Sequence, residues 1–440
     1  MKLAWRFALI ELPPVRALVS FALLVRGGVF SFAGRKFRAL DDFCRAVRLA
    51  NLRVIRLPAQ RRVQAAIDEI ARSDANPVLA AYLADPASGA LASIFSLSGR
   101  GSADLFRDLI VLKSATDDEK GVILLKYART FSAVAALLDL PKLMRRYTFV
   151  LEPCWAGYCD PAILMYVARG NPVLVQCFTA EDYAFIEHIG APLVPLHQGP
   201  ADWVDADVFQ PPPPGAKRYD LVMVANWAQH KRHALLFEAL AQIRDRDVRV
   251  LLCGFAWGER TADDIRREAA SMSNPRVSVE IREKVPQGEL AGLVGSASVF
   301  LFLSRKEGDN KALVEAMFAG VPAIVYDATI GGARSRINPQ TGVLASDAEL
   351  AQKIRYMLEH HGEFTPRAWA LEHTGAEVAT AELDAALRVA VEGAGGRYTH
   401  GIVRKVNAPN LAYKNPAQRE SFREDYEFVL ACRRVPRISS

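Results

Sequence analysis

The sequence predicts an α/β protein with two doubly wound parallel-sheet units, preceded by a mainly helical, basic region. Three observations carry this. From Gly121 onward, short apolar runs alternate with segments of helical period, the pattern of strands joined by crossover helices. A proline block, Gln210 to Ala216, interrupts that alternation, and consecutive prolines hold a backbone that neither a helix nor a central strand can continue. Charge is also uneven: residues 1–62 hold thirteen Lys and Arg against three acidic residues, whereas the whole chain has a formal charge of +6.

The elements follow in order. Residues 1–115 read as mainly helical. Their longest uncharged apolar run is Ala17 to Val25, between Arg16 and Arg26. A spanning helix needs about 20 residues, so this run is not expected to cross a bilayer. Ser31-Phe32-Ala33 has the small-x-small form of a cleavage site, but Glu11, Pro13, Pro14 and Arg26 do not suit a secretory leader. Trp5, Phe7, Phe21, Phe30, Phe32 and Phe37 are interleaved with Arg6, Arg16, Arg26, Arg35, Lys36 and Arg38. Two readings fit: apolar anchors beside cations facing anionic lipid, or a solvated basic face over buried aromatics.

Residues 116–210 form the first unit, packing with 1–115, with strands Val122–Lys126, Thr148–Glu152, Pro172–Cys177 and Pro192–His197. Residues 211–219 read as a linker. The second unit, 220–394, has strands Asp220–Asn226, Val248–Gly254, Val277–Ile281, Val299–Ser304 and Ala323–Asp327, with helices between them. Residues 395–440 hold nine Lys/Arg and four acidic residues and read as a tail that packs back on the body.

At 440 residues, and about 100–200 per domain, two or three units are expected. With 51% hydrophobic and 24% charged residues, the chain is neither disordered nor fibrous. Its six cysteines form no CxxC pair, so neither a disulfide scaffold nor a zinc cluster is indicated, and a reducing compartment fits. No helix-turn-helix, RRM or zinc-finger pattern accompanies the basic segment, so nucleic acid is not an expected partner.

In an open parallel sheet the ligand binds beyond the carboxyl ends of the strands. After Val299–Ser304 comes RKEGDNKALVEAM, a turn at Gly308 leading into a helix whose first N–H groups suit phosphate. Glu307 on that loop and Glu315 inside the helix could bracket a ligand over the helix start. Glu307-x7-Glu315, within EGDNKALVEAMFAGVPAIV, resembles the glutamate pair of retaining glycosyltransferases of the GT-B fold, family 4 (group 1) type. Trp203-Val-Asp-Ala-Asp-Val-Phe-Gln-Pro211 resembles that family's interdomain segment, and Gln340-Thr-Gly-Val-Leu344 its late turn. The resemblance covers roughly residues 120–390.

It implies two Rossmann-like domains facing a cleft and a UDP- or GDP-linked sugar donor held by the second domain. It further implies a glycan or lipid-linked acceptor held by the first, and transfer with retention, without a metal or other cofactor. The expected setting is polysaccharide or cell-envelope glycan synthesis, and the cysteine usage and basic N-terminal segment point to the cytoplasm or the inner membrane face. By position, Glu315 binds the ribose hydroxyls, Glu307 lies by the donor sugar, and backbone N–H groups of Gly308, Asp309, Asn310 and Lys311 hold the diphosphate. An Arg and a Lys usually follow the first strand of the second domain. Lys231 takes the lysine position and Asn226 the arginine position, leaving Arg232 or Lys311 to supply the missing charge. Asp309 departs from the usual motif and points to a different sugar-hydroxyl pattern. In the first domain, Glu152, Trp155, Tyr158 and Asp160 are the acceptor candidates, with no histidine at that strand end. A GT-B-like membrane-associated binding protein without transfer is the alternative, and a sugar-nucleotide epimerase a third reading.

Overall fold

The computed structural model describes residues 12–85, 105–153, 159–213, 215, 217–408 and 410–434. It divides into two compact units. The first comprises residues up to Gln198 with Thr380–Lys405 and Asn410 onward, and the second comprises Gly199–Ala379 with Val406–Pro409. The prolines of 211–219 thus lie within the second unit. A Cβ on Gly295 would lie 3.2 Å from Pro212, and one on Gly320 would lie 3.6 Å from Pro211, so this extended stretch packs against both glycines.

The first unit opens with helices α1 (Pro13–Phe32), α2 (Lys36–Leu49), α3 (Arg53–Arg72) and α4 (Pro77–Ala84). Pro13 and Pro14 occupy the first turn of α1, where their missing N–H and fixed φ cost nothing. The helix therefore extends well beyond the apolar run on both sides. An 18-residue window of it has a mean hydropathy of 1.6, so α1, unlike the nine-residue run within it, is long and apolar enough to span by length and composition. One face of α1 packs on α2: Gly27 sits so close to Phe43 that a Cβ would approach it to 2.6 Å, and Arg26 pairs with Asp42 at 2.6 Å.

Five strands follow: β1 (Leu109–Lys113), β2 (Gly121–Lys126), β3 (Tyr147–Glu152), β4 (Val173–Gln176) and β5 (Leu193–Leu196), in the order β1-β2-β3-β4-β5. β1 is antiparallel to β2 and the others are parallel. The last four match the sequence reading. β1 falls in the stretch read as helical, because five buried residues, LIVLK, carry no period that separates strand from helix. The sheet's helices are α5 (Ala128–Leu137), α6 (Leu140–Arg146), α7 (Pro161–Leu164) and α8 (Ala180–Ile189).

The second unit has β6 (Tyr219–Val224), α9 (His233–Leu240), β7 (Val248–Gly254), α10 (Ala262–Ser271), β8 (Val277–Glu283), α11 (Gln287–Gly295) and β9 (Ala297–Phe302). It continues with α12 (Lys311–Phe318), β10 (Ala323–Tyr326), β11 (Gly342–Ala345), α13 (Leu350–His360), α14 (Pro366–His373) and α15 (Ala376–Gly393), whose later part belongs to the first unit. Its all-parallel sheet runs β8-β7-β6-β9-β10-β11, the doubly wound order with its reversal at β6/β9. Alternate residues build two cores. Val222, Leu251, Phe300 and Val325 pack with α11, α12 and α14, while Leu221, Met223, Val250, Leu301 and Ile324 pack with α9, α10 and α13.

The C-terminal elements are β12 (Lys405–Ala408), β13 (Asn410–Tyr413), α16 (Gln418–Ser421) and α17 (Arg423–Ala431). Asp425 of α17 accepts hydrogen bonds from Tyr147 at 2.6 Å and Ser114 at 2.7 Å, and the Tyr413 hydroxyl donates to the Val111 carbonyl at 2.7 Å. These bonds hold the tail on the first sheet.

Candidate functional site

The reversal at β6/β9 places two loops side by side at the carboxyl ends of the strands. The loop after β6 runs through Asn226 to a short 3-10 turn, Gln229–Lys231, and Arg232 at φ +66° opens α9. The loop after β9 carries Glu307 to Asn310 into α12. A backbone bond from Arg305 N–H to the His230 carbonyl, 3.2 Å, ties the loops together. Across them Lys231 donates to Glu307 in a charge-assisted hydrogen bond. Lys231 is buried, so it is not a surface lysine opening a helix. Its ammonium is a buried cation at the switch point. Burial, and then the nearby Lys231, lower the His230 pKa.

Glu307 is held by the loop after β10. Its N–H donates to the Ile330 carbonyl at 2.9 Å, and the Gly332 N–H donates to the Gly308 carbonyl at 2.9 Å. Gly331, at φ +135°, lies where a Cβ would come within 1.9 Å of the Glu307 carbonyl oxygen, so only glycine fits. Asn310 caps α12, its side-chain oxygen accepting from the Leu313 N–H at 2.8 Å, and Lys311 donates to the Asn407 carbonyl at 3.2 Å. Glu315 lies in the second turn of α12. It is buried and its carboxylate has no hydrogen bond among the described residues. Burial raises its pKa, and the Lys311 charge opposes that. A buried, unpartnered carboxylate is costly. Ribose hydroxyls are the kind of donor that would satisfy it.

Asn226 turns inward on its own loop, its side-chain oxygen accepting from the Ala228 N–H at 3.2 Å. Arg232 pairs with Asp347 and lies over the Tyr326 ring at 4.3 Å, and its buried Nη1 has no hydrogen-bond partner among the described residues. That atom is one unsatisfied donor on the β6 side, along with the His233 ring.

Asp309 behaves differently from its sequence assignment. Its side chain is fully enclosed, accepting from Arg336 at 2.9 Å and from the Ala201 N–H at 2.9 Å. Arg336 also donates to Asp202 at 2.9 Å and to Thr374 at 3.2 Å, and Thr374 donates to Asp202 at 2.6 Å. The Asp309 carboxylate is engaged by this network rather than open to a ligand. The other two family-like segments lie next to this network. Asp202 precedes Trp203, and the Thr341 hydroxyl donates to the Arg336 carbonyl at 2.7 Å. Arg336 and Gly331 were not singled out in the sequence. Gly331-Gly332 after a strand was the available signal for one, and Arg336 had none.

In the first unit, Glu152 is buried against Lys405 at 3.1 Å and Lys126 at 3.7 Å. Asp160 caps α7, accepting from Ala162 N–H at 2.9 Å, and pairs with Arg48 at 3.5 Å. Both carboxylates are engaged within the fold rather than open to an acceptor. Trp155 and Tyr158 lie outside the described residues.

Residues 218–360 match the family described as Glycosyl transferases group 1. A GDP-mannose:cellobiosyl-diphosphopolyprenol alpha-mannosyltransferase of Komagataeibacter xylinus is 32% identical over 162 residues, covering 36% of this chain and 40% of that relative. The chain thus matches less than half of the relative's length. Sucrose-phosphate synthase from Thermosynechococcus elongatus superposes with a TM-score of 0.47 at 17% identity, over 61% of this chain and 73% of its own. Anabaena HepE in complex with UDP superposes with a TM-score of 0.47 at 16% identity, over 60% and 78%.

Proposed function

We propose that this chain, whose residues 218–360 match the group 1 glycosyl transferases, is a member of that family and moves a sugar from a nucleoside-diphosphate donor to a glycan or lipid-linked acceptor. We further propose retention of configuration and no requirement for a metal. The observation that carries the reading is the Lys231–Glu307 pair at the point of strand reversal, with the unpartnered Glu315 carboxylate in the helix that follows. Glu315 takes the ribose hydroxyls, the loop from Gly308 to Lys311 receives the diphosphate, and Glu307 positions the sugar. As the bond from C1 to the diphosphate oxygen breaks, its electrons stay on the diphosphate. The acceptor oxygen bonds to C1 and its proton passes to the leaving phosphate. Lys231 stabilises the charge that develops, which matters most where water is excluded. The GDP-mannose named for the K. xylinus relative puts GDP first among the donors to test. Polysaccharide or cell-envelope glycan synthesis is the setting this chemistry serves.

One observation favours a second reading, nucleotide or glycan binding without transfer. Asn226 brings no charge to the family's arginine position and spends its oxygen on the Ala228 N–H. Calorimetry with GDP, UDP and ADP in chelator, followed by a product assay with the matching sugar donors, separates the two. No nucleotide binding by folded protein refutes both donor-site readings, and binding without product supports the second.

A further inference from the structure

We propose that α1 lies in the plane of an anionic phospholipid surface and docks the chain there through one exposed apolar stripe. The proposal is independent of the donor-site reading. Leu18, Phe21, Val25, Val29 and Phe32 are each more than half exposed. Their spacing of three, four, four and three places them within an arc of about 80° and along about 21 Å of helix. The opposite face is already used. Ser20 and Gly27 are buried, Arg26 pairs with Asp42 of α2, and Arg16 donates to the Leu49 carbonyl at 3.2 Å.

That packing decides between lying on a bilayer and crossing it. A spanning α1 would carry Arg16 and Arg26 into hydrocarbon and separate from α2, whereas an in-plane helix buries only its outer stripe. Charge selects the occupant. Two of the three acidic residues in 1–62, Asp41 and Asp42, are neutralised by Arg45 and Arg26. Arg35, Arg53, Arg61 and Arg62 have no carboxylate partner among the described residues. With thirteen basic against three acidic residues in 1–62, a second copy of this region would meet it with like charge. Anionic headgroups meet it with the opposite charge, and the cytoplasmic leaflet is the face that offers them.

The test is co-sedimentation of the full chain with vesicles of phosphatidylcholine alone or mixed with phosphatidylglycerol, at low and high salt. Preference for the anionic vesicles, weakened but not abolished by salt, is expected, because salt screens the cations and not the apolar stripe. Phe21→Asp with Val29→Asp, both at outward positions, should reduce binding by about tenfold or more, with the circular dichroism spectrum unchanged. Arg35→Glu with Lys36→Glu should remove the anionic preference. Equal recovery on both vesicles, or no effect of the stripe variant, overturns the proposal. So does resistance to alkaline extraction, which would mean spanning. A soluble dimer that the stripe variant dissociates, without vesicle binding, would mean a second copy is the occupant.

Discussion

Arg336 holds Asp309 at 2.9 Å and, through its other nitrogen, Asp202 at 2.9 Å, so the loop bearing Glu307 is anchored to the segment that begins the second unit. The same guanidinium reaches Thr374, close before the chain leaves that unit. Removing one charge from a buried, paired set leaves the others uncompensated, at a cost of about 3–5 kcal/mol. Asp309→Asn should therefore lower stability in urea melts and reduce turnover, while the ranking of sugar donors stays the same. A changed donor preference at unchanged stability would return Asp309 to the sugar subsite.

Glu315→Gln should have opposite effects on binding and stability. Charge-assisted hydrogen bonds contribute about 1.5–3 kcal/mol, so nucleotide affinity should fall by roughly tenfold to a hundredfold in calorimetry. Burial raises the Glu315 pKa, so the folded state favours the protonated form, and ionisation at neutral pH costs stability that is recovered as pH falls. The neutral glutamine should raise the melting temperature at neutral pH. Unchanged affinity would remove Glu315 from the site.

Lys231→Ala should lower kcat by about 10²–10³ while changing KM far less, because the ammonium is needed most as the diphosphate leaves. Steady-state kinetics with saturating acceptor reads both. A raised KM with kcat intact would make Lys231 a ground-state contact only.

Gly331→Ala tests the support beneath Glu307. At φ +135°, with a Cβ 1.9 Å from a carbonyl oxygen, the loop must shift, and transfer should fall at least as far as in Glu307→Gln. Wild-type activity in the alanine variant would show that the position of Glu307 does not depend on this contact.

His233 provides a pH test. Burial first, then the Arg260 and Lys231 cations, lower its pKa to about 3, and its ring nitrogens have no hydrogen-bond partner among the described residues. Unfolding lets the imidazole take up a proton, so stability should fall as pH drops from the ordinary histidine range toward about 3. His233→Phe should flatten that decline in urea melts at neutral and mildly acid pH. Parallel declines would place the acid sensitivity elsewhere.

Local sequence determined five of the six strands of the second unit, β6 to β10, and the residues at their ends, while β11 falls on the segment read as a late turn. β7 is the same in reading and structure, and Lys231, Glu307 and Glu315 fall in loops or helix turns that periodicity and glycine placement mark out. These features act over a few residues, where hydrophobic alternation and turn chemistry are decisive. Tertiary structure decided what no short window holds. Asp309 and Arg336 are 27 positions apart, and Asp202 and Arg336 are 134, so which carboxylates the guanidinium would neutralise depended on the packing of separate loops. The same holds for β1, which becomes a strand by pairing antiparallel to β2, and for α1, whose outward stripe exists only because Gly27 and Ser20 turn the other face onto α2. Desolvation and long-range pairing create these properties, and both depend on neighbours that only the folded chain supplies.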